Sequence, residues 1–519
     1  MSLLNSKTKR SLMTDAQLNE SQSAYRNLAE KSYVADVETN PKNKGIGAAL
    51  AMLAVTSASY ALVQSMVSPA LETLRFALNT SQAGISWVLA AYLLSSAVLT
   101  PVLGKLGDQR GKKSILIAAL CVLVLGCGVS AMATSLPVML AGRIMQGASG
   151  VVLPLAFGVL REMSPDEAVA ESVGLVAAMS SVGGGLGVLV AGPIVATMGV
   201  QWLFWLPAIS NGIIALLLFR ILPSTTVSLG GKVNWFAAAA LSIALLCLLL
   251  PLSLGADIGW LSLPAVALFL AALTFGTAWI LIESKSSYPL VDMAVFRLRS
   301  VWTANLVSLL FGVVLYSAMG FIPSFMQVPA ATDYGLAASV TLSGILFLPT
   351  TFAMFAGGLL AGRLTRALRP KPVLIAGMLC PVIGLLGLVV AHDHRWEVAL
   401  ASAVAGLGFG AALSTLSIIV VSSVPEDQTG AAASMNANIR TIGGALGAAI
   451  VSSILESNRG LGGFPTESGY EIVFSFLAIT GLISSVTCIL IPLPYNGDHD
   501  EFYAGDRATA KLLDQHSPF

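Results

Sequence analysis

The side chains in this chain that can do chemistry are few, and most of them carry positive charge. Arg143 and Arg440 fall inside long apolar runs, where a guanidinium keeps its proton and must face protein groups or a wet cavity. A second cluster is Gly104-Lys105-Leu106-Gly107-Asp108-Gln109-Arg110-Gly111-Lys112-Lys113, which sets one carboxylate among four cations between the apolar runs 83–103 and 114–134. Gly104, Gly107 and Gly111 suit a sharp turn between two helices, because glycine accepts positive φ and lets backbones approach. Asp108 is expected just before the second helix, where a carboxylate favours exposed amides and the positive dipole end. Such a set can grip and release a neighbouring element or a charged ligand. It has no means of cutting a bond.

The rest of the sequence supports that exclusion. No Asp, Glu, His or Lys lies well inside an apolar run; Glu162, Glu283 and Glu456 all sit at run ends. No buried acid/base pair, metal cluster or nucleophile with a base can be assembled, so an enzyme is not expected, and neither is a cofactor or metal. The five cysteines lie inside apolar runs without metal-ligand spacing and read as small apolar side chains.

The elements that must position these residues follow from composition. With 519 residues, 55% hydrophobic and 11% charged, the chain is outside the range of soluble globular proteins. Fourteen apolar segments, each about the ~20 residues that cross a bilayer, can be marked out. They divide as 46–222 with six segments, 233–282 with two, and 302–492 with six. Residues 1–45 and 493–519 are polar tails, the first without the apolar core of a cleavable signal. Alternate loops and the tails collect nearly all Lys and Arg, whereas the remaining loops keep only Arg75, Arg395 and Arg459. This asymmetry predicts a multi-pass protein of the cell membrane with both termini cytoplasmic. The cations follow the membrane rule rather than forming a patch, so nucleic acid is not an expected partner.

An internal repeat is also visible. GKLGDQRGKKSILIAA from Gly104 aligns without gaps with GRLTRALRPKPVLIAG from Gly362, and VGGGLGVLV from Val182 matches IGGALGAAI from Ile442. The offsets predict two related six-helix halves separated by an inserted pair, an all-α membrane protein.

The decapeptide resembles motif A of major facilitator superfamily transporters. Arg143-Ile-Met-Gln146-Gly147 is similar to motif B, and Gly187 with Gly192-Pro193 to motif C of the exporters. Ile85 to Leu94, and Gly430 to Gly444, are similar to helices 2 and 13 of the fourteen-helix drug/proton antiporter branch. The resemblance implies the major facilitator fold, alternating access, and export of small, mostly apolar compounds with proton coupling, by a monomer. It further implies that Gly104, Gly107, Asp108, Arg110, Gly111, Arg143, Gln146 and Gly147 act in a conformational latch and in coupling. One departure stands out. The branch places an Asp nine positions before a proline in helix 1, and aligning on Pro69 puts Tyr60 there. Asp108, Glu162 and Asp333 are then the groups left to carry a proton.

A cavity with Arg143 and Arg440 but no buried carboxylate is expected to take neutral, aromatic or anionic molecules. Its candidate wall is Tyr60, Gln64, Tyr92, Met145, Met179, Asn305, Tyr316, Asn436 and Asn438, although Asn305 and Asn438 are equally suited to bonding across helices. The alternative is an importer of an organic anion or other small solute on the same fold. A non-transporting membrane protein, a sensor or a structural subunit, is the reading from a different class, and the absence of a sizeable soluble domain argues against the sensor.

Overall fold

Long apolar runs in lipid must satisfy every backbone N–H and C=O internally, and the helix is the one open structure that does so. The computed structural model describes residues 41–223, 234–286, 289, 290, 292–332, 334–425, 428–460 and 464–492. Among them there is no strand, only helices and one isolated bridge between Arg459 and Pro465. Fourteen helices are long and apolar enough to span a membrane: α1 (Ile46–Ala70), α2 (Gly84–Arg110), α3 (Lys112–Ala131), α4 (Leu136–Met163), α5 (Ala168–Met198), α6 (Trp202–Ile221) and α7 (Trp235–Leu252). They continue with α8 (Leu263–Ser284), α9 (Arg299–Met326), α10 (Thr341–Leu368), α11 (Pro370–Val390), α12 (Arg395–Ser422), α13 (Thr429–Ser457) and α14 (Glu467–Leu490). Asp333 and the tails up to residue 40 and from residue 493 fall outside the described residues.

The structure corrects the expected turn. The decapeptide is not a loop: α2 continues through it to Arg110, and the connection to α3 shrinks to Gly111 alone, at φ +97°. Polarity changes at Leu103, but nothing in the following residues interrupts helical hydrogen bonding until Gly111. The related stretch does the same, with α10 running to Leu368 and Arg369, at φ +70° and ψ 157°, forming the whole connection to α11.

Helix pairing also repeats. In the first six helices α2 packs on α4, α3 on α4 and α6, and α1 on α5, where the Ser57 hydroxyl donates to the Val176 carbonyl at 2.9 Å. In the last six α10 packs on α12, α11 on α12 and α14, and α9 on α13. Numbering the second set from α9 makes the two patterns identical. The sets meet along two seams, α2 with α13 and α5 with α10, which the same correspondence interchanges. The remaining helices α7 and α8 pair with each other, and α7 lies against both α2 and α13.

Candidate functional site

The Asp108 end of the α2–α13 seam is built by crossing backbones. Gly104 of α2 meets Gly430 of α13 so closely that a Cβ on Gly104 would stand 2.9 Å from the Gly430 carbonyl and 2.8 Å from Ser434 Cβ. That approach brings Asp108, 3% exposed, onto the first turn of α13. Its two oxygens accept hydrogen bonds from the backbone N–H groups of Gly430 at 3.0 Å and Ala431 at 2.8 Å. These are amides that a helix start leaves without partners, and the helix dipole adds to the attraction. The expectation that Asp108 serves the start of α3 is therefore corrected: it serves residues 322 and 323 positions further along the chain, in the other half. Only the tertiary approach of α13 could decide this.

Lys112, 2% exposed, completes the cluster. Its ammonium lies 3.3 Å from Asp108 and hydrogen-bonds Glu162 of α4, while its aliphatic stem covers Gly158. Gly107 fits the Leu155 side chain of α4, and Arg110 ends the helix exposed. Asp108 and Glu162, both named as proton-carrier candidates, share one cation here.

Arg143 lies in the first part of α4, fully buried. Its Nε donates to the Val88 carbonyl at 2.9 Å and its Nη1 to Gln146 Oε1 at 2.6 Å. Gln146 is held in turn, its amide donating to Gly126 O at 3.1 Å and Ser130 Oγ at 2.8 Å. The Tyr92 ring stacks on the guanidinium, 4.6 Å from its carbon to the ring centre, and Nη2 has no hydrogen-bond partner. Gly147 opens a 3-10 turn, Gly147–Val151, that breaks α4 where Ser95 and Ser96 of α2 press against it. Removing an ion from water costs several kcal/mol, and hydrogen bonds to a charged group return about 1.5–3 kcal/mol each. Arg143 is thus tied by neutral partners only.

A cavity of about 470 Å³ opens beside it. Gln64, Tyr92, Arg143 and Tyr316 line it, and Tyr60 reaches it indirectly through its hydrogen bond to Tyr92. The other named candidates lie elsewhere. Met145 packs on Gly126 of α3. Met179 is not in the cavity wall. Asn305 accepts from Asn436 at 2.9 Å, joining α9 to α13, and Asn438 donates to the Ala97 carbonyl at 2.7 Å, joining α13 to α2. Arg440 and Asn436 line a separate, water-sized void with Phe157 and Ser417. Gly187 of α5 seats Leu62 and Ser65 of α1, while Gly192 and the exposed Pro193 lie on an unbroken stretch of α5.

Sequence reasoning missed the inserted pair's contribution. Leu249 and Leu252 of α7, and Trp260 after it, are part of the wall, together with Ser86 of α2 and Thr441 of α13. No apolar pattern distinguishes a cavity-lining leucine from a lipid-facing one. The cavity and the Asp108 cluster occupy opposite parts of α2, with Tyr92 and Asp108 separated by about 24 Å of helix. Between them the α2–α13 seam is closed by the Asn438–Ala97 bond and the Gly104–Gly430 crossing.

Two related helical sets around a closed seam and a central cavity define a membrane transporter rather than an enzyme. The sequence profile of the Major Facilitator Superfamily matches residues 53–448, and the chain belongs to that family. It is similar to the multidrug transporter protein MdtP of Bacillus subtilis (strain 168), with 27% identity over 72% of this chain and 69% of the relative. The methylenomycin A resistance protein of the same organism is 26% identical, over 81% and 89%. The uridine/deoxyuridine transporter of Lactococcus lactis subsp. cremoris (strain MG1363) is 27% identical, over 86% and 95%. In fold, the chain matches the human organic anion transporter MFSD10 with TM-score 0.62 at 14% identity, covering 87% of this chain and 100% of that one. It matches the proton:xylose symporter XylE with TM-score 0.64 at 13% identity, covering 87% and 97%.

Proposed function

We propose that this transporter exports small, mostly apolar compounds across the cell membrane by alternating access, and that the conformation described is the outward-facing one. Residues 46–222 and 302–492 act as the two rocking halves, 233–282 as the inserted pair, and the tails 1–45 and 493–519 lie in the cytoplasm. The observation that carries the reading is the asymmetry of the α2–α13 seam. It is locked at one end by Asp108 on the Gly430 and Ala431 amides, and opens at the other into the 470 Å³ cavity. The Lys and Arg distribution assigns the locked end to the cytoplasm. Release of Asp108 then opens the cavity inward, and closure of α1, α2 and α13 around Trp260 seals it outward. Multidrug and antibiotic-resistance relatives support the outward direction.

Proton coupling belongs to this reading through the family. Tyr60 stands where the branch carries its helix 1 acid, so Asp108 and Glu162 are the carriers assigned, sharing Lys112 in the locked state. We take one copy as the working unit, as the family resemblance implies. An importer on the same fold is the second reading, favoured by the nucleoside transporter that the chain matches over 95% of its length.

The deciding experiment follows substrate movement in cells and in inverted membrane vesicles energised by a proton gradient. Export requires efflux from cells and uptake into inverted vesicles, both abolished by Arg143→Ala with the protein still in the membrane. Accumulation in cells in place of efflux makes the importer reading the correct one.

A further inference from the structure

Arg143 and Arg440 present an unbalanced charge. Both are buried guanidinium groups, and neither bonds a carboxylate among the described residues. The partners of Arg143 are a carbonyl, a side-chain amide and a phenol ring, none of which carries negative charge. Its Nη2 is fully buried and unpartnered, although a guanidinium presents five N–H donors. Arg440 lies on α13 beside the water-sized void, with the Tyr60 phenol among its electrostatic neighbours. Among the described residues, the wall of the large cavity holds no Asp, Glu, His or Lys, and Arg143 is the one formal charge in it. The rest of that wall is chiefly apolar and includes Leu89, Leu93, Leu249, Leu252 and Trp260.

A buried cation without a counter-ion is complemented by a ligand that brings one. We infer that the cargo of this cavity is an amphiphilic organic anion. Its acidic oxygen is received by Nη2 of Arg143, and its apolar body lies against the leucines and Trp260. Tyr92 both lines the cavity and stacks on the guanidinium, so its ring is the shutter that must yield before the acid reaches Nη2. A fixed, charged N–H donor of this kind suits an oxygen of a carboxylate or sulfonate. Lipophilic cations are rejected, because they would add a second positive charge in a low-dielectric space. The inference rests on the cavity being the cargo site, as in the transport reading, but not on the direction of transport.

The test compares three probes of one shape: 2-naphthoate, 2-naphthamide and 2-naphthylmethylammonium, with charges of −1, 0 and +1. Each is titrated calorimetrically into the purified full chain in uncharged detergent. Naphthoate is expected to bind at least about tenfold more tightly than the ammonium, with the amide between. Arg143→Gln is expected to bring naphthoate to the level of the amide, and Arg143→Lys to keep part of the preference, since it keeps the charge without the fork. Thermal unfolding of each variant is read alongside, and the three-probe ranking in the unaltered protein decides the matter should a variant fail to fold. Ammonium binding equal to or tighter than naphthoate, or naphthoate binding not detected to millimolar concentration, overturns the inference.

A second arm repeats the naphthoate titration in sodium gluconate and in sodium chloride. Similar affinity in both is expected; loss of the naphthoate preference in chloride would assign the seat to an inorganic ion and remove the cargo claim. Ammonium preference together with measured efflux leaves the export reading intact and removes only the charge of the cargo. Naphthoate preference together with uptake does the reverse.

Discussion

The two helix-to-helix turns related by duplication, at Gly111 and Arg369, share a backbone and differ in almost everything their side chains do. At the first, Asp108 is 3% exposed and bonded to the start of α13 across the seam. At the second, the equivalent residue is Arg366, which pairs at 3.0 Å with Glu171 of α5, their side chains 55% and 48% exposed. Each contact crosses between the two six-helix sets, so the geometry of gripping has been kept while its sign has been inverted. The energetic weights are unequal. A buried carboxylate on helix amides gains charge-assisted bonds and dipole attraction in a place water does not screen. An exposed ion pair is worth about 0–1 kcal/mol and weakens with salt. Duplication thus supplies two seams of similar shape, one of which holds the charged lock.

That comparison can be broken most sharply at Asp108. Asp108→Asn removes the charge while keeping an acceptor, and substrate efflux is expected to fall at least about tenfold with membrane levels unchanged, given bonds of about 1.5–3 kcal/mol each. Equal transport by the variant would leave the first seam no stronger than the second. Next comes Gly430→Ala, whose methyl would stand 2.6 Å from an Asp108 oxygen and 2.9 Å from the Gly104 carbonyl. Backbone lies on one side of that clash, so the helices must separate, and efflux is expected to drop about fivefold.

Smaller effects belong to the second turn. Arg369 sits at φ +70° and ψ 157°, a region open to glycine and strained for other residues. Arg369→Gly is expected to raise stability by about 1 kcal/mol, seen as a higher thermal midpoint of the purified protein. The gain carries no expected change in transport. Arg366→Ala is expected to change efflux by less than about twofold, the difference vanishing at high salt. A tenfold loss there would make both seams locks of equal weight.

Legibility in the sequence followed the range of the forces involved. The fourteen spans were readable because hydrophobic length is a local property. The turn could be placed but not its form, since polarity at Leu103 ended the apolar run while hydrogen bonding carried α2 to Arg110. Arg143 stood out because a charge among apolar residues is locally improbable, whereas its neighbours Val88 and Tyr92 come from another helix. Met145 and Asn438 were grouped with the cavity on type alone, and helix rotation sent one to α3 and the other to Ala97.

By itself, then, the amino-acid order determined that fourteen segments are long and apolar enough to cross a membrane, that two stretches recur in the two six-helix sets, and that Arg143 and Arg440 lie within apolar runs. Each of these depends on composition or spacing within one segment or its copy. Tertiary structure alone decided that Asp108 closes on α13 rather than α3, that α7 walls the cavity, and that Nη2 of Arg143 is left without a partner. Those outcomes depend on how helices rotate and approach one another, and packing between distant segments has no signature in the segments taken singly.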